Sequence, residues 1–449
     1  MSQPNVIVFF TDQQRHDTTG VHGCPLELTP NFDRMAMRGT HVAHSFTCQP
    51  VCGPARSSLQ TGLYATQTGC WKNSIPLNPA LKTLAHYFRE AGYQTGYIGK
   101  WHLGNGAGAV APEERGGYDY WLASNLLEYT SDAYHTVLYD GEGNLVRLPG
   151  YRVDALTDAA IRYIDRHQDA PFYLFLSYIE PHFQNHRDDY PAPEGYEERY
   201  AGRWIPPDLQ RLVGSAIQHL PGYFGMVRRL DEALGRLRDA LKSLHLLENT
   251  ILLFTSDHGC QFKTRNDEYK RSCHDSSLRV PTALSGPGFE GGGRVRQLVS
   301  LVDLPPTLLD ACGIPVPAHM AGRSLLPILG GRPADDWPAE VFAQISESQV
   351  GRCVRTHRWK YSVSAPEKSG WDAPGSDHYV EEFLYDLLAD PWELTNLIEH
   401  DSHAEVRAVM RERLIRRMVE AGEAVPTILP PPRTQPAGQR RVTSEEARD

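Results

Sequence analysis

Four apolar runs, far apart in the chain, each finish in residues able to do chemistry, and this repeated pattern restricts the fold more than anything else. Residues 6–10 run into Thr11-Asp12, residues 93–98 into Gly99-Lys100-Trp101-His102, residues 172–179 into Glu180-Pro181-His182, and residues 250–255 into Ser256-Asp257-His258-Gly259. Short uninterrupted runs of this kind read as strands buried on both faces. Helical spacing lies between them: residues 31–38, opened by Thr29-Pro30 and stopped by Gly39; the set Leu81, Leu84, Ala85 and Phe88, stopped by Gly92; then residues 153–166 and 226–244. The βαβα order implies an α/β fold with a mostly parallel sheet flanked by helices. Ligands of such sheets bind beyond the carboxyl ends of the strands, so the four polar ends are expected on one rim.

The length of 449 residues suits one large domain, residues 1–335, with a smaller companion. Beyond it, residues 341–345, 353–355 and 359–362 read as short strands and 404–421 as a helix, giving a C-terminal α+β subdomain over 336–424. Residues 425–449, rich in Pro, Gln and Arg, read as an extended or disordered tail, an arm long enough to clasp a second copy in a homo-oligomer. The 45 Lys+Arg against 55 Asp+Glu leave a net charge of −10, which argues against general nucleic-acid binding. No apolar run nears the ~20 residues of a membrane span. The opening residues lack a signal-peptide pattern, and eight thinly spread cysteines do not resemble a disulfide framework, so a cytoplasmic protein with reduced thiols is expected.

The most informative stretch is Cys52-Gly53-Pro54-Ala55-Arg56, followed by Ser57-Ser58-Leu59-Gln60-Thr61-Gly62. Alone, Cys52 reads as a small buried hydrophobe. A zinc knuckle from Cys48 and Cys52 lacks a second pair. A thiol nucleophile beside Arg56 at a helix start is also consistent. Taken with Pro54, Arg56 and Gly62, however, the segment resembles the signature of the type I sulfatases of the alkaline-phosphatase-like superfamily, in which this cysteine is oxidised to formylglycine. Asn5 to Asp12, Thr29-Pro30-Asn31-Phe32-Asp33, Gly99 to Gly104, Pro181-His182, Ser256 to Gly259 and Arg279-Val280-Pro281 follow in the same family's order, so the resemblance spans about residues 5 to 310.

The resemblance implies hydrolysis of a sulfate ester to alcohol and sulfate. A hydrated aldehyde at position 52 carries two hydroxyls on one carbon; one attacks sulfur and expels the alcohol, and deprotonation of the other expels sulfate and restores the aldehyde. A serine would complete only the first half. The resemblance also implies a divalent cation held by Asp12, Gln13, Cys52, Asp257 and His258. Two carboxylates suit calcium first or magnesium, and the Gln carbonyl and imidazole keep manganese in play. Arg56 would steady the formylglycine, Lys100 and Lys270 would contact the sulfate, His102 would assist the nucleophile's proton, and His182, with Lys270, would serve the leaving group. His274, close to Lys270, reads as a structural histidine. A formylglycine-generating maturation enzyme is the implied partner.

Residues 105–117, 184–200 and 371–379, rich in His, Tyr, Trp and acids, are expected to line the pocket, and such mixtures favour a small carbohydrate sulfate. Two rivals remain open. Asp12-Gln13, Asp257-His258 and Lys270 also resemble the phosphonate monoester and phosphodiester hydrolases of the same scaffold. A formylglycine-free relative would only bind anions.

Overall fold

The computed structural model describes residues 3–331, 336–431 and 438–440. In the larger sheet, Tyr120–Ser124, Gln94–Lys100, Phe172–Ser177, Asn5–Thr11 and Thr250–Ser256 lie side by side in that order, all parallel. Ala283–Ser285 continues the sheet antiparallel, followed by Thr40–Phe46 and Gly293–Ser300. Register pairs Thr11 with Ser256, Phe10 with Ser177 and Gly99 with Ser177, so the four polar strand ends finish level.

The first strand explains why its sequence is unbroken in hydrophobicity. Val6, Val8 and Phe10 enter a core shared with Ala55 and Leu59 of the helix Cys52–Thr61. Ile7 and Phe9 enter the opposite core, against Leu156 of Arg152–Arg166 and Leu230 and Leu234 of Ala216–Ser243. All five strand residues are fully buried, each contributing about 1.5–3 kcal/mol. Helices on both faces of a mostly parallel sheet are what the alternation of elements implied.

Two elements depart from the sequence reading. The helix expected from residue 226 begins at Ala216 and runs through Pro221. Burial of Leu220, Tyr223, Phe224 and Val227 among Tyr190, Phe262 and Tyr269 outweighs the unfavourable proline. Downstream, a second sheet joins Glu340–Ile345, Gly351–Thr356, Trp359–Ser364 and His378–Asp386 antiparallel, covered by Ala404–Glu420. His378–Asp386, its longest strand, was not expected because Glu381 and Glu382 interrupt the apolar signal. Glu381 is buried there because Arg407 and Arg411 of the covering helix and the Tyr361 hydroxyl reach it.

Within the expected C-terminal arm, Thr427–Leu429 adds a short strand parallel to residues 378–380. Arg265 donates to Gly438 O and Arg440 N to Thr264 O, so residues 438–440 lie on this chain's own larger domain. The rest of the arm, residues 432–437 and 441–449, and the expected domain boundary at 335 lie outside the described residues. Among the described residues no helix is long and apolar enough to cross a membrane.

Candidate active site

The four strand ends and one helix start meet at a single point. Cys52 is the first residue of Cys52–Thr61, with Pro54 in the first turn, where a missing N–H loses no intrahelical bond, and left-handed Gly62 closing the far end. Two glycines permit the close approach of the surrounding segments. A Cβ on Gly99 (φ +109°) would lie 1.9 Å from Ser177 O, and one on Gly259 would lie 2.2 Å from Ser276 O.

Asp12, Cys52, Asp257 and His258 each place a donor atom within 4.8 Å of the others, and all four are buried. His258 Nε2 lies 3.3 Å from Cys52 Sγ, 3.7 Å from Asp12 Oδ1 and 3.5 Å from Asp257 Oδ1. Its Nδ1 sits 2.9 Å from Gly259 O. A carbonyl can only accept, so Nδ1 carries the proton and Nε2 presents its lone pair to the cluster. Gln13 (φ +66°) donates through Nε2 to the Tyr190 hydroxyl, while its buried Oε1 has no hydrogen-bond partner. Asp257 Oδ2 likewise has none, its nearest cation being Arg56 at 3.3 Å. Two carboxylates, an orphaned amide oxygen and an imidazole lone pair fit a hard divalent cation.

Cations surround this centre. Arg56 donates to Asp12 Oδ2 (2.9 Å), Ser177 Oγ (2.7 Å) and Lys100 O (2.9 Å). Lys100 Nζ, wholly buried, lies 2.8 Å from Asp12 Oδ2 and 2.9 Å from Glu128 Oε1. Lys270 Nζ donates to Cys52 Sγ at 2.8 Å and to His182 Nε2 at 3.0 Å. His182 Nδ1 faces Phe183 O at 2.7 Å, so that nitrogen holds the imidazole proton and Nε2 accepts from Lys270. His102 (φ +59°) lines the same cavity, its Nδ1 3.8 Å from Glu128 Oε1.

The electrostatics follow from this crowding. Burial and the neighbouring sulfur push the Asp12 carboxyl up, but Lys100, His182 and Arg56 outweigh them and hold it below the ordinary carboxylate range. Asp257 moves the other way, raised by burial and by the charge on Asp12. Burial opposes ionisation of the Cys52 thiol, yet Lys100 and Lys270 bring it well below the ordinary thiol range. Burial and Lys270 lower His182. The environment thus favours an anion at and next to position 52.

Cys52, 1% exposed, forms the floor of an open cavity of about 420 Å³ with His102, Glu128, His182 and Lys270. All ten sequence-derived residues therefore meet at one place, with Asp12, Gln13, Arg56, Lys100, Asp257 and His258 behind the floor. His274 does not line the cavity; its Nε2 pairs with the Tyr385 hydroxyl at 3.1 Å. Of the loops expected to form the wall, 184–200 supplies Asn185 and Asp188, and 371–379 supplies Trp371. Residues 105–117 supply none, because their chain turns back on itself: Asn105 is tied to Glu114, and Arg115 to Val110 O. Two residues went unrecognised in the sequence. Glu128 bridges toward Lys100 and His102, and Asn73 Oδ1 accepts from Gly53 N at 2.9 Å. Neither sits at a strand end or in a motif.

Residues 4–314 match the family described as Sulfatase, and residues 267–420 match the family described as N-sulphoglucosamine sulphohydrolase, C-terminal. The chain belongs to the sulfatase family. It is a sulfuric ester hydrolase with the alkaline-phosphatase-like fold of that family. The chain is 30% identical over 441 residues to the ulvan-active sulfatase of Formosa agariphila, covering 94% of this sulfatase and 82% of that protein. Among solved structures, one in complex with its substrate D-glucosamine-2-N,6-O-disulfate has a TM-score of 0.77 at 23% identity, covering 94% of this chain and 98% of that one. The phosphonate monoester hydrolase of Agrobacterium radiobacter has a TM-score of 0.69 at 25% identity, covering 93% and 96%.

Proposed function

We propose that this sulfatase hydrolyses a small carbohydrate sulfate through formylglycine at position 52 and one divalent cation, calcium by first choice. The observation that carries the reading is the placement of Cys52: a helix start, at the floor of an open cavity, touching both the acid cluster and Lys270. Oxidised by a maturation enzyme and hydrated, position 52 would supply the hydroxyl nucleophile. A cation held by Asp12, Gln13, Asp257 and His258, next to position 52, would supply neutralisation of sulfate oxygens.

The chain's own residues do the remainder. Arg56 and Lys100 engage Asp12 Oδ2, which leaves Oδ1 beside position 52. Lys100 and Lys270 place fixed positive charge where the transition state spreads negative charge. Lys270, donating to His182 Nε2, is the nearest proton source for the departing alcohol, and His182 then relays the replacement proton. His102 lines the cavity with position 52, where it would assist the nucleophile's proton, and shares Glu128 with Lys100. Tyr129, Asn185 and Trp371 in the wall suit the rings and hydroxyls of a sugar, in keeping with the substrates named for the relatives.

The phosphonate monoester hydrolase likeness and the Gln13 and His258 pair keep a phosphorus ester as the second reading. Mass spectrometry of the Cys52 peptide from native cells is expected to find formylglycine, and parallel kinetics on an aryl sulfate, a phosphodiester and a phosphonate ester are expected to favour sulfate. Unmodified thiol throughout, or a preference for phosphorus, would reject the reading. Cation removal is testable without turnover. Adding calcium to chelator-treated protein at a hundred times its dissociation constant is expected to stabilise the fold by about 2.7 kcal/mol. Asp257→Asn should abolish that gain; an equal gain in the variant would place the cation elsewhere.

A further inference from the structure

The turn after Glu340–Ile345 does more than close a hairpin. Gln344 N donates to Cys48 O at 2.9 Å, Ser346 Oγ accepts from Gln49 Nε2 at 2.6 Å, and Ser348 Oγ donates to Arg271 O at 2.6 Å. Between them stands Glu347, whose side chain is fully buried. Its Oε1 accepts from Asn73 N at 2.7 Å; its Oε2 accepts from Arg271 Nε and Nη2, each at 2.5 Å. The residue has φ +66° and is pinned by its own N–H to Gly370 O at 2.8 Å. A non-glycine residue in that conformation is strained by about 1–3 kcal/mol, which persists only where the surroundings over-determine it.

Both partners of this carboxylate lead to position 52. Asn73 Oδ1 accepts from Gly53 N, one of the free N–H groups at the start of the helix that begins with Cys52. Arg271 directly follows Lys270, lines the cavity, and lies 5.8 Å from the Trp371 ring; its N–H donates to Pro50 O at 3.2 Å. The other carboxylate on Arg271, Glu268, is half exposed and offers a looser hold. One buried carboxylate from the smaller domain therefore grips the two loops that flank the reacting position.

We propose that Glu347 is a positioning residue for the hydrolysis, fixing Asn73 and with it the helix start at position 52, and fixing Arg271 as the wall that receives the alcohol part of the substrate. The inference rests on the sulfate-ester reading for the choice of substrate alone. Glu347→Gln separates the two arms, since the amide oxygen still accepts from Asn73 N whereas the neutral amide loses the ionic fork to Arg271.

The test compares wild type, Glu347→Gln, Arg271→Gln and the double variant on an aryl sulfate, after thermal unfolding has established that each is folded. Glu347→Gln is expected to raise KM about tenfold with kcat within about threefold, and the double variant to be no worse than Arg271→Gln alone. An unchanged KM, or effects that multiply in the double variant, overturns the proposal. Should Glu347→Gln fail to fold, Arg271→Lys decides: it keeps the charge but loses the fork, so KM is expected to rise about tenfold. An unaltered KM in that variant is equally fatal. Wild type that ignores the sulfate and cleaves a phosphodiester rejects the substrate reading instead, and the same four proteins are then compared on the phosphodiester.

Discussion

Cys52→Ser is expected to lower steady-state turnover of an aryl sulfate by a factor on the order of 10⁴ or more, while releasing up to one equivalent of phenol in a first burst. The side chain is nearly isosteric, fully buried and held by Lys270 Nζ at 2.8 Å, so the substituted hydroxyl occupies the same place among the same cations. It has one oxygen rather than two on its carbon. Attack on sulfur is therefore possible, but no second hydroxyl remains to expel the sulfate, and the peptide bearing position 52 should gain one sulfo group in the mass spectrum. Cys52→Ala, with no nucleophile, should give neither burst nor mass gain. Both variants should unfold at temperatures close to wild type, because neither changes the helix start or its proline. Sustained turnover by the serine variant would mean that the aldehyde is unnecessary and that another group attacks the ester.

The parts of this site that were legible in the sequence are those set by local burial. A strand covered on both faces must be apolar throughout, so the break at Asp12, Lys100, His182 or Asp257 is conspicuous, and parallel register brings such breaks level. Lys270 and Arg56 were reachable only through the family resemblance, because neither follows from the strand pattern. Glu128 and Asn73 were not legible at all: each acts through a partner more than 19 residues away, Lys100 for one and Gly53 for the other. The same reasoning covers the smaller domain. Glu381 looks like a strand breaker until Arg407 and Arg411 are known to meet it, and Glu347 looks like an ordinary turn acid until two loops close on it. Long-range ion pairing leaves no periodic trace, whereas apolar burial does.

Acid is expected to destabilise the fold steeply below about pH 6.5, through a string of histidines remote from the cavity floor. His22 Nε2 faces His41 Nε2 at 3.3 Å, so one must donate and the other accept; protonating both sets two N–H groups against each other. His16 packs edge-on against His22, and His44 Nδ1 accepts from Arg279 Nη2 at 3.4 Å, which requires that nitrogen to be bare. Burial and then the nearby arginines lower all four: Arg279 chiefly for His16, His22 and His44, and Arg294 before Arg279 for His41. Arg355 adds to the effect on His44, while Asp275 opposes it on His16 and His44 without prevailing. His41 falls to about 4 and His44 to about 3. Because the folded values lie below the unfolded value near 6.5, the unfolded chain takes up protons first, and stability is lost as pH falls through 6.5 toward 4. The limiting slope is about 1.4 kcal/mol per pH unit for each histidine, reduced by solvent screening at His41 and His44. Asp231 and Asp303, each raised to about 6 mainly by burial, act in the opposite sense, since the fold takes up their protons before the unfolded chain does. Glu382 and Asp257, each raised to about 7 mainly by burial, offset the histidines already between pH 7 and 6, so the difference between wild type and a histidine variant isolates the histidines better than the wild-type slope alone. Urea unfolding of wild type and of the His41→Gln/His44→Gln double variant across pH 7.5 to 5 measures the difference, and the variant's stability should fall less per pH unit. Parallel curves for the two proteins would show that these imidazoles titrate alike in the folded and unfolded chain.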